Sequence, residues 1–162
     1  MYPFSIAILL LFGCSPIKDI VVVNDLKTDH EELIIDFKKE VHINEFAEIK
    51  IVNKSKTSIN IYGPYLKKME KYSDNTWTKV RIIYYPCGAD CEAPPKILVL
   101  KPGESHPYKW NLMESRCENI QKNGIPLTVE KKCEPGLYRI RVDYGEDENK
   151  KSTLYYEFRI IN

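Results

Sequence analysis

From Glu32 onward, apolar residues recur at every second position, and that period decides the fold class. In Phe46-Ala47-Glu48-Ile49-Lys50-Ile51-Val52, Ile49 and Ile51 fall on one face, Glu48 and Lys50 on the other. This is the signature of a half-buried strand. Ser58–Tyr62, Lys96–Leu100 and His106–Asn111 read the same way. In Gly136–Tyr144, Leu137, Arg139 and Arg141 alternate with Tyr138, Ile140 and Val142, and in Thr153–Ile161 the residues Leu154, Tyr156, Phe158 and Ile160 share a face. Polar turns separate these runs at Asn53-Lys54-Ser55-Lys56, Ser73-Asp74-Asn75 and Lys101-Pro102-Gly103-Glu104. No window of about 12 residues, the length an isolated helix needs, holds a 3.6 period. Short strands punctuated by turns, about 8–10 of them, predict an all-β sandwich or barrel.

The first thirteen residues, MYPFSIAILLLFG, are uncharged and carry an apolar run from Ile6 to Phe12. A spanning helix needs roughly 20 apolar residues, so this run has the length of a signal-peptide core instead. It ends in Leu11-Phe12-Gly13-Cys14, which resembles a bacterial lipobox. The resemblance implies cleavage before Cys14 and lipidation of its thiol, with acyl chains holding the protein on a membrane. The expected organisation is 1–13 lipoprotein signal peptide, 14–30 tether and candidate first strand (Asp19–Val23), and 31–162 one sandwich domain. The expected location is the bacterial cell envelope.

Cys87, Cys91, Cys117 and Cys133 remain, an even number in an exported chain, and two disulfides follow with three pairings open. The reading favours neighbours. Cys87 with Cys91 pinches a tight loop, and Cys117 with Cys133 closes Met113–Cys133, the one long irregular stretch. Zinc is the competing reading of C-x₃-C, but no second paired knuckle accompanies it, and no metal is expected.

Lys+Arg at 24 against Asp+Glu at 23 leaves a net charge of +1, which argues against a nucleic-acid partner. Gly103-Glu104-Ser105-His106 lacks the second glycine of a nucleophile elbow, and neighbours on a strand point to opposite faces. His30-Glu31-Glu32 lacks the second histidine of a zinc-protease helix, while His42 and His106 stand alone. No glycine-rich phosphate loop occurs. No catalytic residue and no cofactor is expected. The 11 tyrosines are the remaining clue. Tyr62, Tyr65, Tyr84 and Tyr85 flank turns, where a flat apolar ring with a polar tip suits recognition of protein or sugar. Trp77 and Trp110 lie inside strand patterns and are expected in the core.

The succession Ile49-x-Ile51-Val52-Asn53-Lys54-Ser55, Leu100-Lys101-Pro102-Gly103-Glu104, Trp110 and Pro135-Gly136-Leu137-Tyr138-Arg139 resembles the bacterial Ig-like domain of the intracellular proteinase inhibitor type. It is also similar to uncharacterised bacterial lipoproteins with a Cys-rich insert before an L-x-P-G-E turn. The resemblance covers roughly Glu45 to Tyr144 and implies an Ig-like antiparallel β-sandwich. The expected function is an anchored, non-catalytic binding module for a protein or glycan partner. Its expected surface is Tyr84-Tyr85, the Cys87–Cys91 loop and the Met113–Cys133 loop. The alternative is a secreted or periplasmic protease inhibitor, with no inhibitory residues carried over from the resemblance.

Overall fold

The computed structural model describes residues 32–64, 68–119 and 124–162. Cys14, the signal segment and the tether lie outside them, as does Tyr65. Twelve strands occur among the described residues, more than the alternation alone marks out. They are β1 (Leu33–Asp36), β2 (Glu40–His42), β3 (Ala47–Asn53), β4 (Ile59–Tyr62), β5 (Met69–Ser73), β6 (Thr76–Lys79), β7 (Ile97–Leu100), β8 (Ser105–Trp110), β9 (Met113–Glu118), β10 (Leu127–Lys132), β11 (Gly136–Gly145) and β12 (Ser152–Ile161).

One sheet runs β1-β3-β8 and a larger one β2-β12-β11-β4-β7, with the β5-β6 hairpin continuing beside β11. The short β1 and β2 thus enter opposite layers. β3 and β8 share one sheet while β4, β11 and β12 share the other. This is the strand order of an immunoglobulin-type sandwich. Tyr138 supports that assignment: near the start of β11, its hydroxyl donates to the Glu134 carbonyl at 2.7 Å, as in the tyrosine corner of Ig domains.

The alternation read from the sequence is the one that packs the layers. Ile49 and Ile51 from β3 and Trp110 from β8 meet Ile61, Tyr138, Ile140 and Phe158 of the larger sheet in one buried cluster. Trp110 crosses between the layers, its ring 6.2 Å from that of Tyr138, and its Nε1 donates to the Met113 carbonyl at 3.0 Å. Aromatic burial with a satisfied N–H is what makes tryptophan affordable in a core.

Trp77 departs from expectation. It lies half-buried on the outer face of the larger sheet, where Tyr72 approaches it at 5.1 Å between centroids. The Arg139 guanidinium stacks between Trp77, at 4.2 Å, and Tyr155, at 4.1 Å. Glu70 accepts from Arg139 Nε at 2.5 Å and completes the row. The β5-β6 turn that positions Trp77 is built from Asp74 (φ 49°) and Asn75 (φ 60°), the paired left-handed residues of a tight hairpin.

Candidate functional site

The stretch from Met113 to Cys133 is a hairpin, not an irregular loop. β9 and β10 pair in register from Leu127 opposite Glu118 to Lys132 opposite Met113. The chain leaves the sandwich through Leu112, fully buried in a left-handed conformation (φ 55°), which turns β8 into β9. The residues after β6 then run along β9. Ser115 N donates to the Arg81 carbonyl at 2.8 Å, and Ile83 N donates to Ser115 Oγ, also at 2.8 Å.

That arrangement corrects the expected disulfides. The structure joins Cys87 to Cys117, 30 residues apart in sequence, and leaves Cys91 exposed and Cys133 buried as free thiols. The reason is register. Cys117 lies opposite Thr128 on β10, and Cys133 stands five positions further along, roughly 16 Å away at strand rise. A disulfide needs Cα atoms within about 7 Å. Cys87 instead reaches the same spot from the other side, its N–H donating to Thr128 Oγ1 at 2.8 Å. Cys133 is held in the core beside Tyr138, and burial, with the Glu114 carboxylate nearby, pushes its thiol up to about 12.

The staple carries Tyr84 and Tyr85 just before it. Both rings are exposed and set edge to face with centroids 4.6 Å apart, a favoured aromatic geometry. Partial desolvation, then Tyr84, Cys91 and Glu92 close by, raise the Tyr85 phenol above its ordinary value. Gly88 packs the loop against Ile125, just ahead of β10. Its φ is +72°, and a Cβ there would meet Ile125 Cγ2 at 2.5 Å, so both backbone and space require glycine. Ile125 and Leu127 each remain 59% exposed on the hairpin.

The expected surface therefore holds together in part. Tyr84, Tyr85, Cys87, Cys91 and Cys117 gather at one stapled end of the molecule, while Cys133 belongs to the sandwich interior. Ile125 and Leu127 escaped notice in the sequence because two apolar residues around Pro126 carry no period. Ser105 and His106 are successive residues of β8 and point to opposite faces. Among the described residues, no three or more His, Cys, Asp or Glu are grouped to hold a metal ion.

No protein-family model matches the chain, and no curated protein does. Among solved structures the chain is similar to the ASH/PapD-like domain of human CEP192 (PapD-like domain 7). That similarity has 12% identity over 98% of this chain and 95% of that one, with a TM-score of 0.36.

Proposed function

We propose that the protein is a membrane-anchored envelope lipoprotein, acylated at Cys14, whose Ig-like sandwich serves as a non-catalytic binding module. The observation that carries the binding reading is the stapled end. There the Tyr84–Tyr85 pair stays exposed on a loop that Cys87–Cys117 fastens to the hairpin, and Ile125 and Leu127 stay exposed on the hairpin itself. Exposed aromatics on a rigidly held loop bind with little ordering cost. The partner is a protein or glycan that accepts flat aromatic rings.

The test places a photo-crosslinking residue at position 84 in cells and identifies what it captures at the cell surface. Binding of the purified captured molecule is then compared with Tyr84→Ala/Tyr85→Ala. Loss of affinity by about tenfold or more, as expected for a central aromatic pair, supports the surface. Unchanged affinity, or stoichiometric inhibition of an endopeptidase by the intact chain, overturns it. Intact mass of the detergent-phase protein checks the anchor: a chain beginning at Cys14 with added acyl mass is expected.

A further inference from the structure

Strand β7 ends the larger sheet on the side of β4, and its backbone parity can be read directly. Tyr62 pairs with Ile97 and Ile61 with Leu98, while Gly63 N donates to the Lys96 carbonyl at 2.7 Å. Lys96, Leu98 and Leu100 therefore exchange hydrogen bonds with the β4 side, and the N–H and C=O groups of Ile97 and Val99 point away from the sheet. No hydrogen bond reaches those four groups among the described residues. On the faces of the sheet, Ile97 (44% exposed) and Val99 (53%) turn outward, whereas Leu100 is buried.

An open edge is ordinarily blunted by proline, charge or a bulge. The opposite sheet does this with Pro107 inside β8, since proline has no N–H to offer. β7 has no such device within Ile97–Leu100. Its lysines stand outside the strand, at Lys96 and Lys101, and neither ammonium is paired with a carboxylate among the described residues. Glu104 caps the edge by accepting from Lys101 N at 2.9 Å. The groove of about 480 Å³ that Ile97 also lines runs toward β4 and β11, past Tyr62, Lys68 and Asp143, and leaves the free edge of β7 uncovered. Four uncovered ladder groups and two exposed β-branched side chains suit an added strand.

We infer that β7 is a second recognition site, distinct from the stapled end, that takes an extended peptide segment of a partner protein by strand addition. Unpaired lysines at both ends select a segment that is apolar at alternate positions and carries carboxylates at its ends. A second copy of β7 would bring four lysines to one seam and is disfavoured by like charge.

The probes are two labelled capped peptides, Asp-Val-Thr-Val-Thr-Glu and the same core flanked by lysines, titrated by anisotropy into the full chain in detergent micelles. The acid-flanked peptide is expected to bind, the lysine-flanked one at least about tenfold more weakly. Binding should slow hydrogen exchange at Ile97 and Val99. Val99→Pro removes one outward N–H without touching the β4 bonds and should weaken binding about tenfold. Because that variant risks the strand itself, Lys96→Glu/Lys101→Glu serves beside it: two exposed changes that should reverse the preference between the peptides. Tyr84→Ala/Tyr85→Ala should leave peptide binding intact, which separates this site from the stapled end. Equal affinity for both peptides, no binding, or exchange at Ile97 and Val99 already slowed by self-association overturns the proposal.

Discussion

Asn53 lies fully inside the sandwich, yet its side-chain amide uses all of its hydrogen-bonding capacity. Nδ2 donates to the carbonyls of Thr57 at 2.8 Å and Leu100 at 2.9 Å, and Oδ1 accepts from Ser55 N at 2.9 Å and Ser55 Oγ at 2.8 Å. Two donations and two acceptances are all that an amide offers. The backbone of Asn53 joins the same knot, accepting from Gly103 N and donating to the Glu104 carbonyl. The Asn53-Lys54-Ser55 and Leu100–Glu104 stretches, which carried the family resemblance, are thus two halves of one latch between the layers. Asn53→Ala removes four hydrogen bonds, each worth about 0.5–1.5 kcal/mol, while Ser55 N keeps the Glu32 carbonyl at 3.1 Å and Ser55 Oγ keeps the Thr57 carbonyl at 2.7 Å. Partial relaxation leaves an expected loss of about 3 kcal/mol, read as a lower urea midpoint at unchanged slope. A loss below about 0.5 kcal/mol, the range of ordinary surface substitutions, would show that water replaces the amide. The sequence marks this position as a polar turn. What it hides is that the turn residue continues the inward face of Ile49 and Ile51, because alternation cannot say which polar residue finds partners inside.

At the scale of elements, legibility followed burial. β3, β11 and β12 each bury one face, so their period was visible and their extents were close to those observed. The β9-β10 hairpin was not visible. Its residues are mostly half-exposed or exposed on both faces, and a strand with no buried face has no alternation to show. The same blindness misassigned the cysteines, since neighbour pairing is natural for a loop and excluded for a registered hairpin. Once the hairpin is in place, Cys87–Cys117 becomes the bond that fastens the Tyr84–Cys91 stretch to it, alongside the Ser115 and Thr128 hydrogen bonds. Closing a loop of 30 residues' separation stabilises by about 3–4 kcal/mol on the chain-entropy model. Cys87→Ser/Cys117→Ser is expected to lose that much in chemical denaturation. It should also free amide exchange across Tyr84–Cys91 while leaving β3 and β11 protected. Exchange that rises uniformly over the whole domain would mean that the staple supports the sandwich itself and not an appendage.

Over the whole molecule, the larger sheet is tied across its width by one carboxylate. Asp143 on β11 accepts from Lys68 Nζ at 2.8 Å, from Arg141 Nε at 2.9 Å and from Thr153 Oγ1 of β12 at 2.9 Å. Lys68 also donates to the Tyr62 carbonyl at 3.0 Å at the end of β4, and its own carbonyl accepts from Arg141 N at 2.9 Å. Three strands of a non-local sheet, whose pairings span most of the chain, thus meet at a single charge. Burial works against the ionised carboxyl, but the hydrogen bonds from Lys68, Arg141 and Thr153 outweigh it and hold Asp143 below its usual range. A carboxyl depressed in the folded state binds its proton more readily when unfolded. Its stabilisation is therefore present above the unfolded value near 3.9 and disappears as pH falls through the folded one. Glu45 and Glu134 are depressed as well, but both are solvent-exposed ion pairs with little to contribute. The wild-type chain should lose stability as pH falls from about 5 toward 2. Asp143→Asn should lower stability at neutral pH by about 1–3 kcal/mol and flatten that acid slope. Denaturant midpoints measured at several pH values decide the matter. If Asp143→Asn keeps the wild-type slope, the acid sensitivity belongs to the surface carboxylates, and the crossing at Asp143 holds the sheet by packing alone.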